Sequence, residues 1–334
     1  MKKILQYIFA FAFSGLLVWL SVKNIDANGW QQMKEAVNNA NFLLILPVLV
    51  MAVLSHWFRA MRWRLLLEPI NIYAGKFNSF AAVMIGYFVN MGVPRLGEVL
   101  KCTALAKYEK APADKILGTI VIERAFDVVC FFLFLCITLL LEFNNISDFI
   151  SEKIKDLFYT NGSFNYTKIA IIGATIIAII VIIKLIFTKY KNNKLVAKSK
   201  AVLNNIKSGL KTIYTLKRKK AFIVYTLLIW AMYLLQIYAA FFAFKATTGL
   251  GLSVACVALT ASTFAMIATP NGLGSFPIFV SAALVSFGIK TEMGITFGWI
   301  MWAVMTVITI ILGVVCFILL PRLNKNYEQS TPTL

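Results

Sequence analysis

"NMGVPRLGEVLK", residues 90–101, places a proline, two glycines and three charged side chains directly after an apolar stretch. The apolar residues, 78–93, are fewer than the ~20 that a helix needs to cross the hydrocarbon core of a bilayer. Proline and glycine end helices and permit tight turns. The stretch therefore predicts a re-entrant hairpin with Pro94 and Gly97 at its tip, after which a second helix returns to the side where the first began.

A second interrupted stretch lies in the other half of the chain. Residues 253–269 are apolar and similarly short, and "ATPNGLGSFP" follows at residues 268–277. We predict a second hairpin whose tip holds Pro270, Gly272 and Gly274, with Ser275 as the N-cap of the returning helix. The alternative is that both stretches are full-length helices kinked by proline, which gives about eight spans.

The composition defines the class of protein, because 60% of the residues are hydrophobic and only 14% are charged. The predicted fold is an all-α polytopic membrane protein with six full spans plus the two hairpins. The six apolar runs are 4–22, 42–57, 116–141, 169–188, 222–244 and 295–319.

The order span, span, hairpin, span occurs twice, over 4–141 and again over 169–319 from the opposite side. This layout predicts an inverted repeat within a single transmembrane domain, 1–334, with repeats at 1–145 and 165–320. Discontinuous segments at matching places in inverted halves point to a binding site near the middle of the membrane.

The net charge of +19 is distributed unevenly along the chain. Most lysines and arginines fall on one side of the predicted spans, including a run at 189–220 that contains no acid. By the positive-inside rule, this run is a basic cytoplasmic loop, and both termini are cytoplasmic in an inner (cytoplasmic) membrane. The expected partners of these cations are anionic lipids rather than nucleic acid.

Five charged side chains remain inside the predicted membrane segments and lie within one short part of the chain: Arg95, Glu98, Glu123, Arg124 and Asp127. Each costs at least ~2.5 kcal/mol at mid-bilayer, so they should face inward and pair. Arg124 and Asp127 form an i,i+3 pair, and Glu123 lies one turn from Asp127.

Two interpretations of these charges stay open. One is an internal salt-bridge cluster that fixes the first hairpin against 116–141. The other is an anion site in which Arg95 and Arg124 bind a headgroup phosphate, with Glu98 beside them and Glu123 and Asp127 as pairing or proton-carrying groups. Helix N-termini at the two tips would add backbone donors near Gly97 and Ser275.

His56, Arg59 and Arg62 follow helical spacing at the end of the second span and are interpreted as interface anchors. His56 has no Cys, Asp or second His at ligand spacing, so no metal or other cofactor is predicted. No nucleophile–base pair accompanies the embedded carboxylates, so no catalytic residue is assigned and the chain is not expected to be an enzyme.

"PRLGEVLK" and "IERAFD" together resemble the lysylphosphatidylglycerol synthase transmembrane-domain family, the flippase-like integral membrane proteins. The matching positions are Pro94, Arg95, Gly97 and Glu98, then Glu123, Arg124 and Asp127, and in the second half Pro270, Gly272, Leu273 and Gly274. Asn271 and Pro277 depart from the family pattern, which argues against a charged role for the second hairpin. The resemblance implies a lipid flippase domain, here without the cytosolic aminoacyltransferase.

The leading functional hypothesis is a transporter that moves an anionic phospholipid or lipid-linked headgroup between leaflets. The alternatives are a membrane-embedded lipid-modifying enzyme that uses Glu123 and Asp127 as acid and base, and a scaffold for a lipid or cell-envelope synthase. A lipid-modifying or envelope-synthesis enzyme is accordingly a candidate partner.

Overall fold

A computed structural model describes residues 2–23, 25–93, 95–142, 159–160, 163–164 and 216–325, with side chains described from Ala10 onward except at 159–164. The chain divides into two compact units, one comprising Met1–Glu123 and Ile213–Leu334 and the other Arg124–Thr212. Helix α6 contributes residues to both units. Pro94, the span predicted at 169–188 and the loop predicted at 189–220, up to residue 215, lie outside the described residues.

The described chain is helical apart from one two-residue ladder. The α-helices are α1 (Lys2–Val22), α2 (Ala27–Asn38), α3 (Ile45–Leu67), α4 (Lys76–Gly92), α5 (Leu96–Tyr108), α6 (Ala113–Leu141), α7 (Lys219–Phe241), α8 (Leu252–Ala268), α9 (Ser275–Val285) and α10 (Thr291–Leu323). Short 3-10 helices occupy Phe42–Leu44, Glu68–Ile70 and Pro270–Gly272. In the second unit, β1 (Tyr159–Thr160) pairs antiparallel with β2 (Ser163–Phe164).

Four described segments are long and apolar enough to cross a membrane: Phe42–Ile70, Ala113–Leu141, Lys219–Phe241 and Thr291–Leu323. They coincide with four of the six predicted spans, and α1 covers a fifth. The second predicted span is longer than expected, because α3 continues to Leu67. This extension carries Arg59 and Arg62 into the body of a helix.

The first unit is built around the antiparallel pair of α3 and α7. The backbone amide of Asn41, just before α3, donates to the carbonyl of Ala243, just after α7, at 2.9 Å. At the other end, the Arg62 guanidinium lies 5.8 Å from the centre of the Phe222 ring. Beyond it, Arg218 pairs with Glu68, and this hydrogen bond raises the pKa of Arg218. The pairing fixes which face of α3 is turned toward α7.

The first hairpin consists of α4 and α5, which lie antiparallel. A Cβ on Gly97 would come within 1.9 Å of the Gly86 carbonyl oxygen, so the two helices touch backbone to backbone near the tip. At the open end, Glu109 Oε1 accepts from the Gly75 amide at 2.8 Å and from Asn78 Nδ2 at 2.9 Å. The second helix therefore returns to the end where the first began, as the sequence predicts.

The second hairpin consists of α8, the 3-10 turn Pro270–Gly272 and α9. Its break falls where the sequence predicts, and α9 then packs on α10. A Cβ on Gly298 would come within 2.6 Å of Pro277 Cα, so this packing is also close. Helix α10 reaches the first hairpin too, because Gly313 lies against Phe88 of α4.

Helix α2 lies between the first two predicted spans, in a stretch for which no element is predicted. Asp26 caps its N-terminus through a 2.7 Å bond from the Gly29 amide to Oδ1, and the buried Gly29 lies beside Glu292 of α10. Five of its residues are both polar and exposed, namely Asn28, Gln31, Lys34, Glu35 and Asn38. A short amphipathic helix of this kind carries too few apolar residues to register as a span.

Candidate functional site

A fully buried carboxylate lies in the first unit, that of Glu123 on α6, whose side chain is 0% exposed. Its Oε2 lies 2.8 Å from Lys101 Nζ, and its Oε1 lies 3.2 Å from Arg59 Nη1 and 3.9 Å from Arg62 Nη2. The three basic side chains are also buried, at 8% exposure or less. Three cations thus converge on one carboxylate, and we call these four residues the basic cluster.

The residues around the basic cluster hold its cations in place. The Lys101 ammonium lies 3.9 Å from the centre of the Trp63 ring, and Trp63 Nε1 donates to Thr119 Oγ1 at 2.9 Å. Arg59 Nη2 donates to the Tyr233 hydroxyl at 3.0 Å. Cation–π contacts and charge-assisted hydrogen bonds therefore add to the ion pairs.

The spacing of the chain explains why these side chains meet. Arg59, Arg62 and Trp63 are three and four residues apart, so they share one face of α3. Lys101 lies on the returning arm of the first hairpin, and Glu123 lies on the helix that follows. Because α4 and α5 approach so closely at Gly86 and Gly97, α5 holds Lys101 close to α3 and α6.

This geometry decides part of the question that the sequence left open. An ion cluster does fix the first hairpin against α6, but its hairpin residue is Lys101 rather than Arg95. The interpretation of Arg59 and Arg62 as interface anchors is wrong, because both are buried against Glu123. Arg59, Arg62 and Trp63 lie at helical spacing, which can indicate a face that points inward. That signal applies only if the helix is predicted to continue past residue 57.

The tip of the first hairpin is open and charged. Arg95, Leu96 and Val99 are exposed, and Glu98 is half-buried. Arg95 is the residue before α5, and its backbone lies in the left-handed region with φ at 70°. This backbone conformation costs free energy for a residue with a Cβ. The Gly97 amide, predicted as an anion donor, donates to Asn90 Oδ1 at 2.9 Å.

The tip of the second hairpin is closed and neutral. Ser275 Oγ donates to the Ala265 carbonyl at 2.7 Å and lies 2.7 Å from Thr269 Oγ1. Gly272 and Gly274 have φ values of 69° and 76°, and a Cβ on Gly274 would come within 2.7 Å of the Val18 amide nitrogen of α1. Ser275 is the first residue of α9, and Gly274 is its N-cap, so the prediction of Ser275 as N-cap is wrong.

Arg124 and Asp127 belong to the second unit, and they form the predicted i,i+3 pair. Arg124 Nη1 lies 4.0 Å from Asp127 Oδ2, with the arginine side chain 43% exposed and the aspartate 18%. Their roles in headgroup binding and charge pairing stay predictions. In the part of the chain that the structure describes, no three His, Cys, Asp or Glu side chains are grouped to hold a metal ion.

These features define a helical membrane protein with two helical hairpins and a buried basic cluster. The chain matches the family "Lysylphosphatidylglycerol synthase TM region" over residues 7–313, and it belongs to that family. The resemblance seen in the sequence is thereby confirmed.

Two curated relatives are UPF0104 membrane proteins of archaea. One, from Methanothermobacter thermautotrophicus, is 23% identical over 274 residues, which are 76% of this chain and 80% of the relative. The other, from Methanocaldococcus jannaschii, is 25% identical over 109 residues, which are 32% of each chain. No solved structure matches the chain.

Proposed function

We propose that the protein moves a lipid with an anionic headgroup between the two leaflets of a membrane, and that the basic cluster is where the headgroup is recognised in transit. The observation that carries this proposal is the convergence of Arg59, Arg62 and Lys101 on the buried Glu123. Guanidinium and ammonium groups bind phosphate through charge-assisted hydrogen bonds.

The cost of burying these charges supports a functional role. Removing ions from water costs several kcal/mol each, and a buried ion cluster stabilises a fold no better than well-packed apolar residues of the same volume. Charged residues inside membrane segments mark substrate and ion pathways. A headgroup phosphate would compete with Glu123 for the three cations, so the carboxylate would occupy the cluster between transport events.

The exposed tip of the first hairpin extends this proposal. Arg95 lies about 1.7 turns before Lys101 on the same hairpin, and Glu98 lies about 0.8 turn before it, so a headgroup could pass from one group to the next. Acyl chains would stay in the lipid while only the polar part crosses. The driving force would be the lipid's own gradient, an ion gradient or a partner.

The test is leaflet exchange in liposomes that contain the purified protein. Fluorescent phosphatidylglycerol and phosphatidylcholine would be followed separately by a quencher added outside. We expect wild-type protein to exchange phosphatidylglycerol faster than phosphatidylcholine. Arg62→Gln should lower the exchange rate of phosphatidylglycerol about tenfold, which corresponds to the loss of one charge-assisted contact.

Arg322→Gln is the matched control, because this substitution removes the same charge from a residue that is exposed near the end of α10. Exchange of phosphatidylglycerol no faster than in protein-free liposomes, with folded wild-type protein, would overturn the proposal. Equal exchange in Arg62→Gln and Arg322→Gln would remove the basic cluster from it.

A further inference from the structure

A cavity of about 300 Å³ lies in the first unit, away from the basic cluster. It is formed by α2, the residues that follow α7 and the first turns of α10. The backbone bond between Asn41 and Ala243 places it at the N-terminal end of α3. Arg59 lies 14 residues past Ile45, the first residue of α3, or about 21 Å along the helix, so the cavity and the cluster lie at different depths.

The inner side of the cavity is apolar. Phe244 and Phe297 are 4% and 1% exposed, and their ring centres lie 5.7 Å apart. The Thr247 and Thr296 hydroxyls donate to the backbone carbonyls of Phe241 and Glu292. The hydroxyls are thus engaged within the protein, and the two buried phenylalanines form the inner wall of the cavity.

The outer edge of the cavity is charged. Lys245, Lys290 and Glu35 line it and are exposed, so this edge carries two ammonium groups and one carboxylate. Glu35 Oε1 accepts from Gln31 Nε2 at 2.8 Å. An apolar floor below a basic edge matches a molecule that has both an apolar and an anionic part. A volume of this order is at the small end of the ~300–1,000 Å³ typical of small-molecule sites.

The neighbouring helices are typical of the border between lipid and water. Trp30 of α2 is 50% exposed and Trp19 near the end of α1 is 57% exposed. Exposed tryptophans and short amphipathic helices concentrate at the headgroup level of a bilayer. The cavity is therefore placed where a phospholipid headgroup and its glycerol esters would lie.

We propose that this cavity binds one phospholipid with an anionic headgroup, with Lys245 and Lys290 at the phosphate and Phe244 and Phe297 beneath the glycerol esters. It is a second lipid site, separate from the basic cluster. Binding here does not depend on translocation, so it holds or fails independently of the proposed function.

The experiment counts lipids retained by the full-length protein in detergent micelles by native mass spectrometry. Phosphatidylglycerol and phosphatidylcholine with identical chains are the probes, and inorganic phosphate is the competitor. We expect the double variant Lys245→Ala/Lys290→Ala to retain one phosphatidylglycerol fewer than wild type, with about tenfold weaker binding at that site. Inorganic phosphate should not displace the lipid.

The matched control is Lys23→Ala/Lys34→Ala, which removes two exposed lysines that do not line the cavity and should retain lipid as wild type does. Ala246→Trp, which fills the cavity without changing charge, should also lose one lipid, and thermal unfolding of each variant shows that it is folded. Equal retention in the lysine double variant and its control would overturn the proposal. Equal retention of phosphatidylcholine, or displacement by inorganic phosphate, would also overturn it.

Discussion

The two hairpins share a layout but differ in chemistry. The first carries Arg95, Glu98 and Lys101, and its tip is exposed. The second presents hydroxyls and glycines, and its tip is buried beneath α1. Both turn through a residue with a Cβ in the left-handed region, Arg95 and Asn271, so the backbone design is common to the two.

The difference shows that matching positions in two halves of a chain need not share a task. Lys101 of the first hairpin reaches Glu123, whereas the second hairpin bonds to itself through Ser275 and Thr269. Asn271 is held by α10, since its carbonyl accepts from Trp302 Nε1 at 2.8 Å. We infer that the first hairpin handles charge and that the second holds the helices in position.

The largest effect is expected from Glu123→Gln. This change leaves three buried cations without their shared carboxylate and should lower the free energy of unfolding by about 3–5 kcal/mol, measured by equilibrium unfolding in detergent. Glu68→Gln is the control, because its partner Arg218 is 64% exposed, and it should cost about 1 kcal/mol or less. Equal losses in the free energy of unfolding for Glu123→Gln and Glu68→Gln would mean that the basic cluster is no more buried in solution than the Glu68–Arg218 pair.

Gly97→Ala tests the close packing of the first hairpin. The added Cβ would meet the Gly86 carbonyl oxygen at 1.9 Å, so we expect a loss of about 3 kcal/mol in the free energy of unfolding. Gly92→Ala, at the end of α4 with nothing within 4 Å, should be neutral or stabilising by about 1 kcal/mol at most. If Gly97→Ala behaved like Gly92→Ala, the two helices would be further apart than described.

Ser275→Ala should have a smaller effect on the second hairpin. It removes the bonds to Thr269 and to the Ala265 carbonyl, which should cost about 1–2 kcal/mol of stability. Ser286→Ala loses only a bond to its own helix, at Ala283, and should change the midpoint of thermal unfolding less. A larger shift in Ser286→Ala would show that the buried hydroxyl network at the tip is not formed.

Arg95→Ala should have the smallest effect on stability and a clear effect on transport. Arg95 is exposed, so the free energy of unfolding should change by about 0.5 kcal/mol or less. Exchange of phosphatidylglycerol in liposomes should fall about tenfold, and Arg95→Lys, which keeps the charge, should restore part of it. Unchanged exchange in Arg95→Ala would remove this residue from the mechanism.

The sequence was sufficient to locate α1, four longer spans and both hairpins, because length, apolar character, proline and glycine act locally. It was not sufficient to identify the basic cluster. Arg59 and Arg62 lie beyond the apolar run at 42–57, and only the antiparallel packing of α3 and α7 shows that they point inward. Lys101 is not among the embedded charges that the sequence predicts, and its place in the cluster follows from the contacts it makes with Glu123 of α6 and Trp63 of α3.

The second tip shows a similar limit. Its glycines and proline predict a turn, but whether that turn is open or closed depends on α1, which approaches Gly274 from more than 250 residues earlier in the chain. The inverted repeat stays a prediction, because part of its second half lies outside the described residues.

The most direct test of the central claim is the exchange rate of phosphatidylglycerol, relative to phosphatidylcholine, in Lys101→Met and Ser275→Ala proteins in the same liposomes. Lys101→Met removes a cation of the basic cluster while keeping most of the side-chain volume, and should lower the ratio about tenfold. Ser275→Ala should leave the ratio within about twofold of wild type, because its hydroxyl is engaged within the second hairpin. A ratio unchanged in Lys101→Met, or lowered as much in Ser275→Ala, would contradict the assignment of headgroup recognition to the first hairpin.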